Sequence, residues 1–136
     1  ISNGARCDSN TLKCACAGGN SEIIRLLFQK KISFNSKCLN KAIKHFAGIS
    51  MIDFIIENSN LEIGINEMHK AIKSFNFPFF TYYLSQKLIE SENSKSENFL
   101  HASVFKNNFQ ITQFVCVSLK KYFNAELINK HDCYHL

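Results

Sequence analysis

The sequence predicts an all-α protein, a solenoid of stacked helix-turn-helix repeats in a single domain, and three observations predict it. A pentad recurs: Ala42-Ile43-Lys44-His45-Phe46 returns as Ala71-Ile72-Lys73-Ser74-Phe75, each after a lysine, Lys41 or Lys70, at a spacing of 29 residues. Self-similarity at a fixed period marks repeat architectures. Apolar residues around both copies fall at i, i+3 and i+4, the stripe of an amphipathic helix, without strict alternation. The chain of 136 residues, 46% hydrophobic and 20% charged, is too apolar to be disordered and of a length that one folding unit accommodates.

Extending the register gives four units aligned on a small residue, Ala15, Ala42, Ala71 and Ser103, at separations of 27, 29 and 32. An apolar residue precedes each by three positions: Leu12, Leu39, Met68 and Leu100. Each first helix then meets a break of residues that tolerate turns, Gly18-Gly19-Asn20, Ala47-Gly48, Asn76 and Asn107-Asn108, since such residues accept left-handed backbone or bond their own main chain. A second amphipathic segment follows every break: 23–28, 51–56, 79–84 and 111–116. Ile, Phe and Tyr favour strands, but the helical spacing decides against a sheet. Polar connectors at 30–37, 58–66 and 90–98 join the units. The expected layout is the end of a preceding repeat at about 1–8, repeats at about 9–35, 36–64, 65–96 and 97–127, and the start of another at about 128–136. With neither initiator Met nor the layout of a secretory signal, the chain is expected to be part of a longer array.

The units resemble ankyrin repeats, which read Thr-Pro-Leu-His-x-Ala, then Gly-His/Asn-x-Glu-Ile-Val-x-Leu-Leu-Leu, then Gly-Ala. Thr11-Leu12-Lys13-Cys14-Ala15-Cys16-Ala17-Gly18-Gly19-Asn20-Ser21-Glu22-Ile23-Ile24-Arg25-Leu26-Leu27-Phe28 follows that order, one residue short between Thr11 and Leu12. The fourth unit keeps Leu100-His101, Asn108 and Ile111; Asn3-Gly4-Ala5 is similar to a repeat's close, and Ile128-Asn129-Lys130-His131-Asp132 to a repeat's opening. Thr-Pro is absent, the Gly-Ala close is lost after the first unit, and the second unit carries an extra residue at its break. The chain thus resembles a divergent subtype, the Asn-, Ile- and Phe-rich arrays of some unicellular eukaryotes. The resemblance implies a non-catalytic scaffold for protein-protein interaction whose first helices line a concave, partner-facing groove. It also implies a structural role for His69 and His101.

Residues i and i+3 share a helix face, so Lys41, Lys44, Lys70 and Lys73 are expected to form a ladder, which the resemblance places in that groove. Phe99, Phe105 and Lys106 are candidates to extend it. A net charge of +5 favours an acidic protein partner. Each candidate has a plainer explanation, a solvated face for the lysines and the core for Phe105. Nucleic acid is an alternative partner, disfavoured because most aromatic residues fall in the apolar second helices rather than on an exposed face. A structural or regulatory spacer within a larger enzyme is the other alternative. No catalytic residue, cofactor or metal is expected: the glycines form no phosphate loop, no triad is legible, and neither Cys14-x-Cys16 nor His131-x-Cys133-x-His135 has the second pair that zinc sites need. The six cysteines lie in apolar periodic segments and are expected to be reduced thiols of a cytoplasmic protein, without a membrane span. The wealth of Asn, Lys, Ile and Phe reads as base-composition bias, without functional meaning.

Overall fold

A computed structural model describes residues 7–85, 88 and 98–122, with side chains to 119. Among these residues there are eight helices and no strand: α1 (Ser9–Gly18), α2 (Ser21–Gln29), α3 (Ser36–Lys44), α4 (Ile49–Glu57), α5 (Ile65–Lys73), α6 (Phe77–Tyr83), α7 (Phe99–Phe105) and α8 (Phe109–Tyr122). Consecutive helices pair as four hairpins, α1/α2, α3/α4, α5/α6 and α7/α8. Contacts group the chain into two compact units, Ile1–Ile63 and Gly64–Leu136, each with two hairpins.

In the first unit α1 lies along α3, and burial of Leu12, Cys16, Ile24, Cys38, Leu39, Ala42, Ile43, Ile52 and Ile55 forms the core. Phe28, Phe34 and Phe54 close it at one side, the first two stacked at 5.3 Å and both set edge-on to Phe54. The Arg25 guanidinium covers the Phe54 ring at 5.4 Å. In the second unit α5 lies along α7 and α6 meets α8. Its core holds Met68, Ala71, Ile72, Phe79, Phe80, Phe99, Leu100, Ile111 and Val115. Phe80 stands edge-on to Phe99 and to Phe114.

Asparagine starts most of the helices. The side chains of Asn20, Asn35, Asn76 and Asn98 accept main-chain N–H groups in the first turns of α2, α3, α6 and α7. Asn108 does the same for Ile111 at the start of α8. These bonds satisfy donors that a helix start leaves orphaned. Asp8 and Thr11 form a capping box on α1, and the Glu67 carboxylate accepts the Gly64 N–H ahead of α5 at 3.0 Å.

The breaks share one backbone device. Gly19, Phe46, Phe75 and Asn107, each four residues past the small residue of its unit, have φ of 77°, 61°, 60° and 54°. In the last three the next residue donates back to that small residue's carbonyl: Ala47 to Ala42 at 2.9 Å, Asn76 to Ala71 at 2.9 Å and Asn108 to Ser103 at 2.8 Å. With the accompanying bonds from Phe46 to Ile43, Phe75 to Ile72 and Asn107 to Val104, this is the Schellman closure of a helix C-terminus. Gly19 makes the simpler form, its N–H reaching the Ala15 carbonyl at 3.0 Å. The small residue therefore acts twice. In three of the four units its side chain is fully buried, and in all four its carbonyl anchors the turn.

Candidate functional site

The lysine candidates lie on two helices in different units. Lys41 and Lys44 occupy the last turn of α3, and Lys70 and Lys73 the last turn of α5. In each pair the first lysine is half-buried and the second exposed. Placement in a last turn supplies a local reason for all four, because cations there offset the negative end of the helix dipole. The Lys70 carbonyl is further engaged by the Ser74 hydroxyl, which donates to it at 2.8 Å.

Phe99, Phe105 and Lys106 separate. Phe99 is buried, against His69 at 5.3 Å and Phe80 at 5.3 Å, so it belongs to the core and not to a partner surface. Phe105 is 82% exposed, which removes the core explanation for it, and the Lys106 ammonium lies 5.8 Å from its ring centroid. Neighbouring Val104 and Phe109 are also exposed, Phe109 by 77%. The end of α7 and the start of α8 thus show water an apolar surface with a lysine beside it. Six positions place the two rings about 120° apart around the helix, so helical periodicity already separates Phe99 from Phe105.

Two residues missed as candidates stand out on energetic grounds. Phe46 and Phe75 are 55% and 52% exposed and hold left-handed backbone. That conformation costs a side-chain-bearing residue roughly 1–2 kcal/mol, and half-exposed rings recover little of it by burial. At the matching turns the chain uses Gly19 and Asn107, the residue types that suit the geometry. The repeat register itself carried the signal: Phe46 and Phe75 end the two copies of the pentad where the first unit has glycine.

Both histidines of the first helices have structural settings. His69 is buried with its ring against Phe99, and the His101 Nδ1 accepts the Asn98 N–H at 3.3 Å while the Asn98 side chain accepts the His101 N–H at 2.8 Å. Cys14 is exposed and Cys16 buried, so the two thiols diverge from α1. Among the described residues no group of three or more His, Cys, Asp or Glu side chains converges. His131, Cys133 and His135, and the repeat opening at 128–132, lie outside the described residues. A cleft of about 480 Å³ in the first unit is lined by Ser33, Phe34 and residues 57–61; it gathers one carboxylate, Glu57, and no thiol or imidazole. No helix of the described residues is long and apolar enough to cross a membrane.

Compared with known proteins, residues 3–83 match the model of a family described as "Domain of unknown function (DUF3447)". No curated protein and no solved structure matches the chain.

Proposed function

We propose that this chain, which belongs to the DUF3447 family, is a non-catalytic protein-binding module, built as an ankyrin-like stack and working in the cytoplasm. The ankyrin-like arrangement is supported within each unit by first helices lying side by side, α1 with α3 and α5 with α7, each followed by its hairpin partner. It is supported too by left-handed turns at one register position in all four hairpins. Repeats of this kind present residues of the first helices and the adjoining turns to a partner.

The observation that carries the proposal is the pair Phe46 and Phe75, exposed aromatic rings in a backbone conformation that opposes them. Selection for stability alone favours glycine or asparagine there, whereas a ring retained against its conformational cost has a use in binding. Aromatic anchors are common among residues that dominate interfaces. Lys41, Lys44, Lys70 and Lys73 stand in the last turns before Phe46 and Phe75, and Phe105 and Lys106 at the end of α7. The partner that suits this chemistry is an acidic protein segment with apolar side chains to set against the rings.

A nuclease-treated pull-down from source cells tests it with two variants. One carries Glu at Lys41, Lys44, Lys70 and Lys73; the other carries Phe46→Gly, Phe75→Gly and Phe105→Ser. Both must match the parent in helical circular dichroism. The expected outcome is loss of the same acidic protein from both; an unchanged set of bound proteins overturns the assignment. The exposed Phe105 and Phe109 beside Lys106 also suit stacked bases, which makes nucleic acid the second reading. Affinity for single-stranded RNA that falls steeply and linearly with log salt, together with no protein captured, would put that reading first.

A further inference from the structure

The second unit contains one complete joint between neighbouring hairpins. The Asn108 side-chain amide of the later hairpin donates to the Ile72 carbonyl of the earlier one at 3.2 Å. The Phe77 ring of the earlier hairpin stands edge-on to Phe114 of the later at 5.8 Å. Ile72 and Ile111, one from each hairpin, are fully buried. Each of these residues has a fixed place in the repeat. Ile72 follows the small residue Ala71, and Phe77 follows the cap Asn76. Asn108 caps the later hairpin's second helix, and Ile111 and Phe114 are the third and sixth residues after it. The same places recur, uncovered, on two other hairpins. Val104 and Phe109 of α7/α8 hold the places of Ile72 and Phe77, and they are 49% and 77% exposed. Asn20, Ile23 and Leu26 of α1/α2 hold the places of Asn108, Ile111 and Phe114, and all three are exposed.

We propose that the open side of α7/α8 receives α1/α2 of a second copy of this chain, head to tail, in a joint of the kind that α5/α6 makes with α7/α8. Register sets which groups meet. The Asn20 amide of the second copy donates to the Val104 carbonyl, Leu26 of the second copy lies against Phe109, and Ile23 and Val104 leave water. The chain itself identifies the occupant, because Asn20, Ile23 and Leu26 repeat the asparagine, isoleucine and large apolar residue that already close the open side of α5/α6. Hairpins of this kind bury their apolar sides against neighbours of the same build. The two faces differ, so the contact is heterologous, and each molecule that joins leaves a further face open for the next. This surface adjoins Phe105 and Lys106 but is independent of the protein partner proposed above, since none of its five residues belongs to that partner's surface.

The test is sedimentation velocity on the full chain, in reductant so that the exposed Cys14 and Cys116 do not link molecules. The mass of the parent is expected to rise with concentration above that of a single chain. Leu26→Glu and Phe109→Glu change exposed side chains and must match the parent in circular dichroism; serine at the same position replaces either glutamate that fails this check. Each variant should remain single, because each spoils one of the two faces. Mixed in equal amounts they should pair and stop at two, through the intact α7/α8 face of the first and the intact α1/α2 face of the second. A parent that stays single up to its solubility limit overturns the proposal. Assembly that survives either substitution, or a mixture that stays single, overturns it as well.

Discussion

A phenylalanine in left-handed backbone is a residue set against its own preference, and Phe75 offers the cleanest measurement of that opposition. Glycine at this position removes the clash of Cβ with the following carbonyl but adds backbone entropy to the unfolded chain. Phe75→Gly is therefore expected to stabilise the protein by about 1 kcal/mol, read as a higher urea midpoint with an unchanged slope, while weakening partner capture. A lower midpoint would show that the ring serves packing. The sequence alone pointed to the lysines, which obey a visible i, i+3 rule. It did not point to Phe46 or Phe75, because no local pattern announces that a residue of β-favouring type will adopt positive φ. Only alignment of the second and third units on Gly19 of the first exposes the conflict.

Among elements, the helices and breaks were legible from periodicity and turn residues, and the second helices fall where the apolar segments were read. The caps were not. Asn20, Asn76 and Asn108 stand in the sequence as turn-tolerant break residues, yet with Asn35 and Asn98 they open α2, α6, α8, α3 and α7, each immediately before a helical stripe, which is the sequence signal of an N-cap. Asn108 does most. Its Oδ1 accepts from Ile111, its Nδ2 donates to the Ile72 carbonyl at 3.2 Å, and its main chain closes the Ser103 turn. Removing a buried side chain that satisfies two such groups costs each its desolvation, on the order of 1–3 kcal/mol. Asn108→Ala should therefore lower stability by about 2–4 kcal/mol, against about 1 kcal/mol for the exposed cap Asn20→Ala; equal losses in chemical melts would show that the Ile72 bond contributes nothing.

For the whole molecule, an all-helical chain of hairpins was legible because period and composition agreed. The division into two compact units at residue 63 was not, since the connector at 58–66 has no composition that distinguishes it from the others. Global stability should carry the imprint of Cys16 and Cys38, both fully buried, whose thiols shift in opposite directions under each other's influence. The Cys38 thiol has its ordinary value of 9.0 lowered to about 6, so between these limits the unfolded chain binds more protons than the folded one, and stability rises with pH. Cys16 is raised from the same 9.0, so above that value the unfolded chain sheds a proton that the folded chain keeps, and stability falls. Denaturant melts should show a rise from pH 6 towards pH 9 and a decline beyond it, and Cys38→Ala should abolish the rise. A flat parent profile would mean that folding leaves the Cys38 thiol at its ordinary value.

The Asn108 amide, anchored at the head of α8, grips a carbonyl near the tail of α5. It works as a latch between neighbours, tying the C-terminal end of α5 to the first turn of α8. Amide protection at the close of α5 is therefore expected to depend on a helix start thirty-six positions later.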